Sequence, residues 1–110
     1  MKYTLHITAA AEDDLRGAAD YIEYVLMNPQ ASAELVEAAA EVLTALTEHP
    51  ERRALPSDPV LRAWGVRFVR VKNYLAFYTV DEAAERVNII RFLYAKRNWM
   101  DILRGGFSVD

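Results

Sequence analysis

The chain opens on a period of two. Tyr3, Leu5 and Ile7 alternate with Lys2, Thr4 and His6, the pattern of a half-buried strand. The period then lengthens. Leu15, Ala18, Ala19, Ile22, Val25 and Leu26 fall on one stripe at helical spacing, which predicts an amphipathic helix. Thr8 stands where an N-cap belongs, and Glu12, Asp13 and Asp14 read as solvated charge near the helix start, where its dipole favours anions. Asn28-Pro29 ends this helix and starts another, since Asn caps well and Pro suits the first helical position. The second stripe is Leu35, Ala39, Val42, Leu43 and Leu46, and His49-Pro50 stops it. Two helices joined by so short a turn pack as an antiparallel hairpin.

From Glu51 to Pro59 the chain is polar and carries Pro56 and Pro59, which predicts a loop. Alternation then returns. Val66, Phe68 and Arg70 alternate with Arg67, Val69 and Val71, Lys72-Asn73 is a turn signal, and Tyr74 to Val80 is aromatic and β-branched. Asp81 to Glu85 is a second turn. Val87 to Tyr94 is nearly continuously apolar, interrupted by Asn88 and Arg91, as expected of a central strand buried on both faces. Asn98 is placed to cap a short last helix with Trp99, Ile102 and Leu103 on its apolar side, ended by Gly105-Gly106. The order β, α, α, β, β, β, α predicts an α+β fold: an N-terminal strand and an antiparallel helical hairpin packed on a small antiparallel sheet, with a short C-terminal helix. The hairpin is expected on one face of the sheet, leaving the other for solvent or a ligand.

The length, 110 residues, suits one domain over 1–110. There is no cysteine, which excludes disulfides, thiolate metal sites and a cysteine nucleophile. No apolar run approaches the ~18 residues of a membrane span, and no signal-peptide pattern opens the chain. A cytoplasmic protein with no membrane partner is expected. The net charge of −3 conceals a split. Residues 1–50 hold two basic and nine acidic groups, whereas residues 51–110 hold eleven basic and seven acidic ones. Such asymmetry marks a surface with its own electrostatic task.

The candidate chemistry is basic and aromatic. His6 and His49 lack metal-ligand spacing, no glycine-rich phosphate loop exists, and Ser32, Ser57 and Ser108 have no triad partners nearby. No metal, cofactor or small-molecule ligand is expected. Arg62, Arg67, Arg70 and Lys72 lie on or before one strand; Arg91, Lys96, Arg97 and Arg104 lie on the last strand or after it. Arg70 and Lys72 share a face, while Arg67 takes the opposite one. Any one of these reads as solvated charge, and most of the aromatics read as core. As a set with Tyr74, Tyr78, Tyr94 and Trp99, they read as a surface for a phosphate or a carboxylate-rich peptide. Arg91 interrupts an apolar strand, so it is either exposed on a functional face or paired with an acid.

Three stretches together resemble the RelE/ParE superfamily of toxins from type II toxin–antitoxin systems. They are the opening strand and helix from Tyr3 to Tyr24, with Ala11, Leu15 and Asp20-Tyr21-Ile22; the hairpin Arg67-Phe68-Val69-Arg70-Val71-Lys72-Asn73-Tyr74-Leu75-Ala76-Phe77-Tyr78; and the ending Val87-Asn88-Ile89-Ile90-Arg91-Phe92-Leu93-Tyr94-Ala95-Lys96-Arg97-Asn98-Trp99. The resemblance implies a growth inhibitor of a plasmid-stabilisation module, neutralised by a cognate antitoxin protein. RelE-like members cut messenger RNA on the ribosome, and ParE-like members inhibit DNA gyrase. Aligned on Asn73-Tyr74, the positions that carry basic and terminal tyrosine groups in RelE-type nucleases fall at Leu75 and near Val66, Phe68 and Leu103, and a slip of register would bring Arg67 or Arg70 to a lysine position. Only the arginine after the last strand matches, as Arg97. A metal-independent nuclease would have to rely on Arg97, Arg70 and Lys72, with Tyr94 as a further participant. The ParE-like reading is the preferred one, with target or antitoxin contacts expected at Arg67, Arg70, Lys72, Arg91, Tyr94, Lys96, Arg97 and Trp99.

Overall fold

The structure is a computed structural model that describes residues 2–52, 55 and 57–109. Strand β1 (Thr4–Ile7) runs into helix α1 (Ala9–Asp20). Thr8 makes that junction. Its hydroxyl accepts from the Ala11 amide at 3.2 Å and donates to the Ile89 carbonyl at 2.8 Å, so one residue caps the helix and ties it to the sheet. A π-helical turn (Tyr21–Val25) follows α1, and helix α2 (Pro29–Ala45) starts on the Asn28 cap. After a 3-10 turn (Pro50–Arg52) come a short helix α3 (Pro59–Ala63), strands β2 (Arg67–Val71), β3 (Tyr74–Asp81) and β4 (Arg86–Tyr94), and helix α4 (Trp99–Arg104). The α+β class and the β2–β3–β4 antiparallel meander are as expected from the sequence.

The sheet order is β1-β4-β3-β2, with β1 parallel to β4. The sheet is therefore mixed, and β4 is central, which explains its nearly continuous apolar run. Leu5 pairs with Val87 and Ile7 with Ile89. Between β3 and β4 the register slips once: Phe77 faces Arg91 and Tyr78 faces Ile89, leaving Ile90 as the extra residue of a bulge. The slip inverts the parity of the last part of β4. Val87 and Ile89 point to the helical hairpin before it, and Phe92 does so after it.

Two apolar layers result. One lies between the hairpin and the sheet: Ala11, Leu35, Ala39, Leu43 and Leu46 from the helices against Val69, Val71, Ala76, Tyr78, Val87, Ile89 and Phe92. The second stripe of the sequence is thus the core face of α2. The first stripe ends early. Leu15, Ala18 and Ile22 pack inward, but Val25 and Leu26 are exposed. The π turn closes with the Leu26 amide on the Tyr21 carbonyl at 3.0 Å, and its extra residue carries the following side chains off the stripe.

The second sheet face is not left for solvent or a ligand. Leu61 of α3, Leu103 of α4 and Phe107 cover Val66, Leu75, Phe77, Ile90 and Leu93. Burial of β4 on both sides requires such a cover. Asp58 anchors it: its carboxylate accepts from the Val60 and Leu61 amides at 3.0 Å each and from Arg104 at 3.0 Å, joining α3 to α4. The expected loop from Glu51 to Pro59 is thus bounded by structured turns, and Pro56 lies outside the described residues. Asn98 precedes α4 without capping it; its amide instead donates to Asp101 at 2.8 Å. Among the described residues, no helix is long and apolar enough to cross a membrane.

Candidate partner-binding cleft

Helix α1 crosses the sheet above the end of β4. The acidic triplet at its start does not act as one solvated unit. Glu12 and Asp13 pair with Arg16 at the surface, at 2.7 and 3.1 Å. Asp14 turns inward. Its carboxylate accepts from Arg91 Nε at 2.6 Å, from Arg91 Nη2 at 2.9 Å and from the Phe92 amide at 3.0 Å. The bulge sets Arg91 and the Phe92 N–H side by side, and Asp14 satisfies both. This bidentate bond, against the opposing cost of burial, holds the Arg91 guanidinium above the ordinary arginine pKa. Arg91 is therefore the paired arginine of the two alternatives, not an exposed contact residue. Asp14 had a signal in the sequence: Ala11, Asp14, Leu15 and Ala18 follow a 0, 3, 4, 7 spacing, so an acid sits on the buried stripe.

Beside this clamp opens a cleft of about 770 Å³, lined by α1, the π turn, the β2–β3 turn and the end of β4. Its walls are aromatic. Tyr74 stacks on Phe92 with centroids 5.2 Å apart and meets Tyr94 edge-on at 5.5 Å. Burial, and then the proximity of Tyr94 and Tyr21, pushes the Tyr74 phenol above its ordinary pKa. Asn73 and Arg97 supply polar groups at the mouth. Arg97 follows β4 in a turn closed by its own amide on the Tyr94 carbonyl at 2.9 Å. Its side chain is exposed and has no protein partner among the described residues. The arrangement offers aromatic walls for an apolar side chain and one unpaired guanidinium for a carboxylate or phosphate.

The other expected contact residues are dispersed. Arg70 is exposed, but its Nε bonds the Lys72 carbonyl at 2.8 Å and steadies the turn, where Lys72 holds a left-handed φ of 53°. Lys72 is exposed next to Asn73, so both cations flank the cleft mouth without lining it. Lys96 is exposed in the turn before Arg97. Arg67 lies on the hairpin side of β2, half-buried, with Glu51 at 4.0 Å. Trp99 is a packing residue, with its ring 5.2 Å from Phe77 and 6.4 Å from Phe68. Tyr78 is fully buried, and its hydroxyl donates to the Pro50 carbonyl at 2.8 Å. Tyr21, Ile22 and Leu26 join the site although the sequence marked two of them only as helix core. Among the described residues, no group of three or more His, Asp or Glu side chains is placed to hold a metal.

These features define a small α+β fold with an aromatic cleft beside its helical hairpin. The chain belongs to the ParE toxin family of type II toxin–antitoxin systems, whose family model, described as the ParE toxin of the parDE system, matches residues 5–99. Its structure is similar to that of a chain from the chromosomal ParDE toxin–antitoxin system of P. aeruginosa, with 21% identity, TM-score 0.70, and coverage of 86% of this chain and 98% of that one. It is also similar to a chain of the RelBE2 toxin–antitoxin complex from Mycobacterium tuberculosis, with 26% identity, TM-score 0.58, and coverage of 86% and 99%. No curated protein sequence matches the chain.

Proposed function

We propose that the protein inhibits growth by gripping a target protein, with DNA gyrase as the candidate, and that a cognate antitoxin neutralises it. One observation carries the choice over RNA cleavage. Val66, Leu75 and Leu103, which stand where the nuclease resemblance calls for basic groups and a tyrosine, are buried together in the second apolar layer, with Phe68 packed against them. Metal-free RNA cleavage needs a positioned base, an acid and charge stabilisation. A packed apolar face supplies none of them, and Arg97 alone offers only charge stabilisation.

The antitoxin is expected to place an amphipathic, acidic tail in the cleft, its apolar side chains against Tyr21, Tyr74 and Tyr94 and a carboxylate on Arg97. The two similar solved structures named above come from toxin–antitoxin systems, which supports such a partner. Controlled expression with separate measurement of DNA, RNA and protein synthesis tests the mechanism. DNA synthesis should fail first, and purified protein should block gyrase supercoiling at micromolar concentration. Early arrest of translation with new transcript ends inside codons would instead establish the nuclease reading. For the tail, Arg70→Glu with Arg97→Glu should weaken antitoxin capture in a pull-down; unchanged capture refutes this placement.

A further inference from the structure

The cleft does not account for the most exposed large apolar residues among those described. Tyr24, Val25 and Met27 are 68%, 62% and 78% exposed at the tip of the helical hairpin, and Leu26 joins them at the cleft edge at 56%. Four consecutive large apolar residues in water are uncommon on a folded surface and mark sites of interaction. They are held in place. The π turn closes on the Tyr21 carbonyl, the Asn28 amide bonds the Ile22 carbonyl at 3.0 Å, and Ser32 Oγ donates to the Ala19 carbonyl at 2.8 Å. Met27 takes a left-handed φ of 54° to make the turn. A short connection with a simple helix end would have kept Val25 and Leu26 on the buried stripe. The π turn instead displays them.

We propose that this tip is a protein-docking surface for a partner that presents an apolar ridge rimmed by lysine or arginine. The charge around the tip decides the partner. Residues 9–45 hold eight acidic groups, of which Glu12 and Asp13 pair with Arg16, and Asp14 with Arg91, nearer the start of α1. Asp20 and Glu23 belong to the tip itself and have no side-chain partner among the described residues. An acidic antitoxin tail is repelled there and drawn to Arg97. A second copy docked tip to tip brings Asp20 and Glu23 of both copies together. A copy docked by its basic turn would make a head-to-tail contact, which leads to rings or open filaments rather than a simple dimer. The remaining fit is a basic-rimmed surface on a different protein, with opposite charges also favouring encounter. The inference rests on the toxin reading only in making this the surface that grips the target.

Two helical peptides with the same Leu/Phe face, one rimmed with lysine and one with glutamate, test the surface directly. Titrated into the labelled protein, the lysine peptide should shift the amides of Tyr24 to Met27, and more weakly as salt rises. The glutamate peptide should bind at least about tenfold more weakly. Tyr24→Ser with Met27→Ser should reduce binding of the lysine peptide by about tenfold or more, with the thermal melt unchanged. Equal binding of both peptides, shifts elsewhere, or binding retained by the double variant overturns the proposal. In cells, the double variant should lose growth arrest and keep antitoxin capture. Retained arrest refutes the target-gripping role, and lost antitoxin capture refutes the division between tip and cleft. If the unsubstituted chain fails to arrest growth while the lysine peptide binds the tip, the docking surface stands and the toxin reading falls.

Discussion

Replacing Asp14 by alanine probes the link between helix α1 and the sheet. The carboxylate accepts two bonds from Arg91 and one from the Phe92 amide. The side chains are 15% and 23% exposed, so the pair is mostly but not wholly shielded. Removing one partner of a buried pair costs about 3–5 kcal/mol. Here the freed guanidinium can still reach water, which places the cost near the low end, at about 3 kcal/mol. Arg91→Ala leaves the Phe92 bond intact and should cost less, about 2 kcal/mol. The double variant should cost about 1–2 kcal/mol less than the two single losses combined, because each single loss already breaks the pair. In a chain of this size the Asp14→Ala loss lowers Tm by roughly 10–15 °C. Urea unfolding followed by circular dichroism measures all three variants. A loss below about 1 kcal/mol for Asp14→Ala, or strict additivity, would show that the pair behaves as a solvated surface contact and that the clamp does not hold the cleft.

Thr8→Ala removes both the cap of α1 and the bond to Ile89, and should cost about 1–2 kcal/mol in the same unfolding assay; Thr8→Ser should recover most of it. The Asp58 carboxyl is held below the usual carboxylate range, chiefly by the Leu61 amide and also by Arg104 and the Val60 amide. Its contribution is therefore present above the ordinary value of about 3.9 and lost as pH falls through the lower folded value. Asp58→Asn should be less stable than the parent at pH 7 and show a shallower decline in stability below about pH 4. The Glu82 carboxyl is pushed up by a side-chain hydrogen bond with Glu51, then by that neighbour's charge and by burial, with Arg67 opposing. A raised folded value favours the folded state at low pH and loses that advantage as pH rises through it. Glu82→Gln should thus raise Tm at pH 7 and have little effect near pH 4; a lower Tm at pH 7 would refute the pairing.

The one-dimensional pattern determined the elements whose signals are local. Strand β1, the Thr8 and Asn28 caps, the apolar stripe of α2, the Lys72-Asn73 turn and the central position of β4 all follow from spacing and capping chemistry over a few residues. The Asp58-Pro59 start of α3 used the same chemistry as Asn28-Pro29, but five residues are too few to show a helical period. Tertiary structure decided what depends on partners distant in the chain. The β4 bulge reset parity, so Phe92 faces the hairpin and Arg91 meets Asp14 across 77 positions of sequence. The π turn moved Val25 and Leu26 from a buried stripe to the surface. Helices α3 and α4 closed the face expected to be open and drew Trp99 into the core. The basic residues were legible as a group, yet the fold separated them by giving Arg91 and Arg67 acidic partners and leaving Arg97 beside the aromatic cleft. Hydrophobic period is set by neighbouring residues along an element. Which cation remains free depends on which carboxylate the folded chain brings within hydrogen-bond reach.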